Sequence, residues 1–324
     1  MILTGDIGGT KTLLALHDDD GARLAAAPER VYPSREHRGL EDVVRRFLED
    51  TGSRPGAACF GVAGPVLGAR VKVTHLPWEI DAASLATRFG LERVHLLNDF
   101  AAAAHGIGAL SSSDLVTLQE GEPLGERPKL VIGAGTGLGI AYVLGDAVLS
   151  GEGGHAAFAP ADATQDALWR WLQPRVGRVQ VEHVASGRGL AHIYEFLLEQ
   201  APEKAAPGAR GVLAAEDAAA AIGRQALEAG DALSLASLDL FISCYGALAG
   251  DQALTVLARG GVYVAGGIAP KLLPRFRTGG FLAAFNDKGP YAHLTRTCPV
   301  HVVTNPDLPL LGAARHAAKS LTAV

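Results

Sequence analysis

The sequence predicts an α/β fold, and three observations carry that prediction. Short apolar runs of strand length recur immediately ahead of glycine or Asx turns. Runs of helical length lie between them. Hydrophobic residues make up 48% of the chain and charged residues only 19%, which is enough apolar material for a buried core and argues against disorder. The strand-like runs are Ala57 to Val62 before Ala63-Gly64-Pro65, Arg93 to Leu97 before Asn98-Asp99, Lys129 to Ile132 before Gly133-Ala134-Gly135, and Val262 to Ala265 before Gly266-Gly267. The helix-like runs are Leu40 to Asp50, Ala82 to Phe89, Asp99 to Leu110, Ala163 to Leu172, Gly189 to Glu199 and Glu216 to Ala229. Ser237 to Leu257 is longer and apolar throughout, as a buried helix would be. This alternation of strands and helices is the α/β signature.

At 324 residues the chain has the length of two domains. It shows no solenoid repeat, and its loosest stretch is Ala201 to Gly211, read as a surface connection between helices. Composition marks no boundary, so the chain is expected to cross between lobes more than once. The formal charge is −5, from 29 basic and 34 acidic side chains. That balance offers no footprint for nucleic acid or for an anionic membrane. Any phosphate chemistry must then use backbone amides, helix ends and a metal. Cys59, Cys244 and Cys298 are far apart and form no C-x-x-C, so free buried thiols are expected, with neither a zinc site nor a disulfide framework. The amino terminus lacks a basic region followed by an apolar stretch, and no run reaches about 18 uninterrupted apolar residues. A soluble, cytoplasmic protein is expected.

Gly5 to Thr12 read G-D-I-G-G-T-K-T, one letter short of a P-loop, because Thr10 stands where its second glycine belongs. A P-loop also needs a helix directly after its lysine. Here Thr12 to His17 is too short and apolar for a capped amphipathic helix, and Asp18 to Gly21 is turn chemistry followed by a second extended stretch, Arg23 to Tyr32. Gly8 and Gly9 are therefore read at the start of a β-hairpin. A second cluster, Gly133-Ala-Gly-Thr-Gly-Leu-Gly139, fails the dinucleotide spacing and reads either as a ligand-approaching segment, with the Thr136 hydroxyl as a donor, or as a plain glycine-rich hairpin. A third, Val264 to Lys271, ends a strand and enters a helix and is by itself compatible with an ordinary turn.

Three polar groupings accompany the glycines. Leu97-Asn98-Asp99-Phe100 puts an amide and a carboxylate where a strand becomes a helix, a place where Asp99 is either functional or an N-cap. Gly151-Glu152-Gly153-Gly154-His155 puts Glu152 and His155 three apart in a loop that is otherwise a solvated turn. Val181-Glu182-His183-Val184, followed by Ser186-Gly187, adds a further carboxylate that is either functional or helix-capping.

In their order along the chain, G-D-I-G-G-T, L-N-D-F-A-A-A-A, G-A-G-T-G-L-G, G-E-G-G-H-A-A-F-A-P, V-E-H-V-A-S-G and A-G-G-I-A-P resemble the bacterial glucokinases of the actin–hexokinase–Hsp70 superfamily. A-A-F-N-D-K-G at Ala283 to Gly289 and L-L-G-A-A at Leu310 to Ala314 extend the resemblance, which runs from Gly5 to Ala314. It implies a two-lobed actin/hexokinase-like (ribonuclease H-like) fold of mixed sheets flanked by helices. A small lobe of 1–97 plus 306–324 and a large lobe of 98–305 would have the active-site cleft between them. It implies ATP-dependent phosphorylation of D-glucose at its 6-hydroxyl with Mg²⁺. In that reading Asn98, Asp99, Glu152, His155 and Glu182 hold the sugar, and Asp99 is the catalytic base. Gly5, Asp6, Ile7, Gly8, Gly9, Thr10, Gly133, Gly135, Thr136, Gly137, Gly266 and Gly267 serve the nucleotide, and Asp6 the metal. The repressor–kinase (ROK) glucokinases share D-I-G-G-T-K but carry a cysteine-rich zinc motif. The absence of cysteine between Cys59 and Cys244 excludes that subgroup. His75 departs from the Asn that relatives often carry in the Thr74 to Trp78 loop.

Phosphoryl transfer to a sugar needs positioning, neutralisation of charge and a place for one proton. Amides of Gly8, Gly9, Thr10 and Gly135 to Gly137 are expected to cradle phosphates without fixed positive charge. The lobes are expected to close over glucose and expel water, with Ala101 to Ala104 and Gly312 to Ala314 as small residues suited to close packing at a hinge. A homodimer follows from the resemblance alone. Two alternatives stand beside this reading. One is a kinase for another hexose, such as fructose or mannose. The other is a non-catalytic sugar-sensing regulator, against which the four residues before Gly5 and the acidic balance both argue.

Overall fold

The computed structural model describes residues 1–21, 29–74, 76–206 and 208–322. Its elements begin with β1 (Ile2–Ile7), β2 (Lys11–His17), β3 (Arg30–Pro33), α1 (Leu40–Thr51), β4 (Ala57–Val62), β5 (Val66–Leu67), β6 (Arg70–Lys72), β7 (Glu79–Asp81), α2 (Ala82–Phe89), β8 (Arg93–Asn98) and α3 (Asp99–Gly106). There follow β9 (Leu115–Gln119), β10 (Lys129–Ala134), β11 (Leu138–Leu144), β12 (Ala147–Gly151), α4 (Ala163–Val176), α5 (Gly187–Gln200), α6 (Ala209–Leu213), α7 (Ala218–Glu228) and α8 (Ala232–Val256). The chain closes with β13 (Val262–Ala265), α9 (Ile268–Lys271), α10 (Leu273–Phe276), α11 (Gly280–Asn286), α12 (Ala292–Arg296), β14 (Val300–Val303) and α13 (Leu308–Thr322).

Two compact units result. One comprises Met1–Ser113, Val148–Ser150 and Asn305–Val324, the other Asp114–Ala147 and Gly151–Thr304. The division drawn from the sequence differs chiefly at residues 98–113, and also at 148–150 and 305, all of which lie in the first unit. The reason is local. β8 passes into α3 without a break, and α3 is locked against α13. A Cβ at Gly312 would collide with the Ala102 carbonyl oxygen and one at Gly106 with that of Leu308, so these glycines let the two helix backbones touch.

The first unit is built on a sheet in the order β3-β2-β1-β4-β8 and a small sheet β5-β6-β7. β1, β4 and β8 run parallel, while β1, β2 and β3 form successive antiparallel pairs. Side-chain alternation sorts the two faces. Leu3, Phe60 and Leu14 join Val43, Val44 and Phe47 of α1 in one core. Their neighbours Ile2 and Cys59 pack with Ala313 and Ala317 of α13. Gly8 and Gly9 form the turn of the β1–β2 hairpin and stand ahead of β2, which pairs antiparallel with β3 as the second hairpin read from the sequence. Arg23 to Pro28, the first part of the extended stretch read before Tyr32, lie outside the described residues.

The second unit carries the strands β11-β10-β13-β14-β9 in that order, with β10, β13 and β14 parallel and β11 and β9 antiparallel to their neighbours. Asp162, Ser186, Asp217 and Asp231 cap α4, α5, α7 and α8 by accepting the amide three residues on, at 2.8–3.0 Å. α8 is long and apolar enough to span a membrane, yet 67% of its most apolar stretch is buried in protein. Its Tyr245 and Phe241 pack with Phe276, Phe281 and Phe285, which marks it as a core helix. The buried Tyr245 hydroxyl accepts the Ala134 amide (3.1 Å) and donates to the Ile132 carbonyl (3.2 Å), wiring α8 to the end of β10.

Candidate active site

In the first unit, parallel registration assembles the polar groups. Ile7 of β1 is level with Val62 of β4, which is level with Asn98 of β8, so Asp6 and Asp99 both come to the carboxyl ends of these strands. Gly61 lies between them on β4. A Cβ there would stand 3.0 Å from the Ala102 Cβ and 3.5 Å from the Asp99 Cα, so its bareness lets the start of α3 come close. Burial, and next the Asp99 carboxylate, raise the Asp6 carboxyl to about 6, against a lowering by Lys11. Asn98 rather than Asp99 is the N-cap. Its Oδ1 accepts the amides of Phe100 (3.0 Å) and Ala101 (3.2 Å), and its Nδ2 donates to the Gly64 carbonyl (3.3 Å). Asp99 is the first helical residue, and its Oδ1 accepts the Phe100 amide at 2.8 Å.

The β1–β2 turn is clamped by Ser34, a buried residue that sequence reasoning missed. Its amide donates to the Thr10 carbonyl (3.0 Å), and its Oγ donates to the Gly8 carbonyl (2.8 Å) and meets Thr12 Oγ1 (3.0 Å). The Gly8 amide donates to the Lys11 carbonyl (3.0 Å), so it serves the turn and leaves those of Gly9 and Thr10 as the donors there. Gly5 is buried inside β1, where a Cβ would lie 2.7 Å from Phe60 Cδ1 and 2.8 Å from Leu14 Cδ2. Packing accounts for that glycine, and Ile7 is likewise a core side chain. His75 lies outside the described residues.

In the second unit, Gly133 and Ala265 are paired in the parallel β10–β13 ladder, which brings the β10–β11 turn level with Gly266 and Gly267. The Gly135 amide closes that turn on the Gly137 carbonyl (2.9 Å), and the Gly135 carbonyl accepts the Gly187 amide at the start of α5 (2.8 Å). A Cβ at Gly137 would lie 2.6 Å from Glu182 Oε2, the atom that accepts the Leu138 amide at 3.0 Å. Gly266 has φ +81° and would press a Cβ to 2.5 Å from the Ala134 carbonyl oxygen. A Cβ at Gly135 or Gly267, by contrast, would meet nothing within 4 Å. Those two keep open space against the backbone.

Glu152 precedes and His155 ends a 3-10 turn, Gly153–His155, that lies on β11 so closely that a Cβ at Gly154 would strike the Leu138 carbonyl. Their side chains are 69% and 52% exposed, with His155 Nε2 3.7 Å from Glu152 Oε2, too open a pair to matter to stability. Backbone bonds from Phe158 to Val179 (3.1 Å) and from Val181 to Ala156 (2.9 Å) bolt this loop to the turn Val181–His183 that carries Glu182. Glu152, His155, Glu182 and both later glycine clusters thus share one unit, while Asp6, Gly8, Gly9, Thr10, Asn98 and Asp99 share the other. Tyr245, Ser34 and Gln180 support these loops, and no local motif announced them.

Glycine hairpins at the ends of parallel strands, with carboxylates beside them, define a phosphotransferase of the actin–hexokinase-like fold. A crystal structure of a glucokinase from an Antarctic psychrotroph superposes with a TM-score of 0.83 at 30% identity, covering 98% of both chains. That of a glucokinase from Balamuthia mandrillaris in complex with glucose, at 22% identity, shares the fold with a TM-score of 0.79, over 98% of this chain and 93% of that one. A glucokinase of Trichormus variabilis is 41% identical over 98% of this chain and 99% of its own length. The family model for glucokinase matches residues 3–320. The chain belongs to the glucokinase family, and it is an enzyme, a kinase that passes a phosphoryl group to an alcohol.

Proposed function

We propose that this chain transfers the γ-phosphoryl group of ATP to the 6-hydroxyl of D-glucose, giving glucose 6-phosphate and ADP. The observation that carries this reading is the carboxylate pair at the strand ends, with Asp6 raised to about 6 by burial and by Asp99. Two such charges repel each other, and both a cation at Asp6 and a hydroxyl donating to Asp99 would relieve them. Asp99 is the general base, accepting the O6 proton as the new bond to phosphorus forms. Asn98 accepts both first-turn amides of α3, so the helix keeps a cap even though the Asp99 carboxylate also accepts the Phe100 amide.

Asp6 fits Mg²⁺, which takes one or two carboxylates and completes its shell with waters and phosphate oxygens. When bound, Mg²⁺ neutralises charge on the phosphate oxygens. The amides of Gly9, Thr10, Thr136 and Gly137 and the Thr136 hydroxyl donate to the phosphates, and Gly266-Gly267 lets the adenosine approach the backbone. Glu152, His155 and the Oε1 of Glu182 take sugar hydroxyls, while Asn98, whose carbonyl oxygen serves the cap, offers one Nδ2 hydrogen. A sugar lacking a hydroxyl would leave its partner unsatisfied, which is the source of discrimination. The same reading makes the enzyme cytoplasmic and a homodimer.

Asp99→Asn tests the base. The cap stays on Asn98, so folding and glucose binding should persist while kcat falls about 10²–10⁴-fold. A variant that keeps most of its turnover would remove Asp99 from the chemistry.

A further inference from the structure

His155 is tied back to a residue outside the motif that contains it. Its Nδ1 lies 2.9 Å from Gln180 Oε1. Gln180 is itself held in place. Its amide donates to His183 Nδ1 at 3.1 Å, it forms an antiparallel bridge with Ala157, and its neighbours Val179 and Val181 bond Phe158 and Ala156 on either side. A glutamine carbonyl oxygen only accepts, so this bond requires the proton on His155 Nδ1, and the neutral ring then has a bare Nε2. Nε2 is the nitrogen that faces Glu152 Oε2 at 3.7 Å. Two acceptors at that distance cannot satisfy each other. With the opposite tautomer, Nε2–H would donate to Glu152 and the pair would close on itself.

We infer that Gln180 is a positioning residue for sugar recognition. By fixing the His155 tautomer it keeps Nε2 and the Glu152 carboxylate both open as acceptors for sugar hydroxyl protons. The inference rests on the glucose-kinase reading above, in which His155 and Glu152 meet the substrate. It makes the hydroxyls recognised here proton donors, so a sugar with fluorine in place of the matching hydroxyl should be rejected like the deoxy sugar.

The test uses the full-length protein labelled with ¹⁵N-histidine, with the His155 signal assigned by its loss in His155→Ala. The wild type should show a protonated Nδ1 and a bare Nε2. Gln180→Leu should lose that bias and raise KM for glucose about three- to tenfold, the worth of one hydrogen bond, with kcat within twofold. A bare Nδ1 in the wild type overturns the inference whatever the variant does. So does an unchanged KM together with an unchanged ¹⁵N pattern in a folded Gln180→Leu. Absence of product from wild-type enzyme with glucose and ATP would instead sink the glucose reading, while the tautomer measurement would still stand.

Discussion

Asn98 and Asp99 are adjacent polar residues at the mouth of α3, and the sequence leaves open which of them works for the helix and which for chemistry. The cap geometry divides them, because the Ala101 amide goes to Asn98 Oδ1, whereas the Phe100 amide is shared between Asn98 Oδ1 and Asp99 Oδ1. Asp6 raises a related question, since a carboxylate held above its usual range is a cost to the folded protein. Its folded value of about 6 exceeds the ordinary 3.8, so the stability it lends below pH 3.8 is lost as pH rises to 6 and is absent above that. Asp6→Asn should therefore stabilise the ligand-free protein at pH 7–8, on the order of 1–3 kcal/mol, with the gap closing toward pH 4. It should also remove the added stability that Mg²⁺ and ATP confer on the wild type. Thermal midpoints across that pH range check both halves, and a variant less stable than wild type at pH 8 would contradict the first. Residue types at motif positions were legible in the sequence because their spacing is local. Ser34 and Gln180 were not, because the groups they hold lie 26 and 25 positions away along the chain.

At the scale of elements, the sequence treats its glycines alike and the fold divides them. Gly5, Gly137, Gly154 and Gly266 are bare because Phe60, Glu182, Leu138 and Ala134 leave no room for a Cβ. Each of those neighbours arrives from another segment or across a turn, which is why composition and spacing could not sort them. Gly135 and Gly267 have no such neighbour. Gly135→Ala should accordingly leave the melting temperature almost unchanged, within about 0.5 kcal/mol of stability, yet raise KM for ATP. An unchanged ATP KM would show that the open space beside this turn is not where phosphates lie. The strands read from apolar runs ahead of glycine turns, Ala57–Val62 and Val262–Ala265, have the bounds drawn from the sequence. α8 starts five residues earlier than its apolar run, because Asp231 caps it and Ala232 to Leu235 already turn with it. The short β5-β6-β7 sheet carried no readable period, since strands of two or three residues are too brief to show one.

At the scale of the molecule, the α/β class followed from alternation alone, whereas the unit boundary did not, because it depends on α13 returning from the far end of the chain to α3. Each unit supplies a different share of the proposed chemistry, the first its two carboxylates and the second its Glu152–His155 loop and Glu182. The direct measurement is kcat/KM for purified protein with ATP and Mg²⁺ across D-glucose, D-mannose, D-fructose and 6-deoxyglucose, with products identified by ³¹P NMR. Glucose 6-phosphate is the expected product, with glucose the preferred hexose and no transfer to 6-deoxyglucose. Preference for another hexose, or phosphate on any oxygen other than O6, would contradict the glucose-kinase reading.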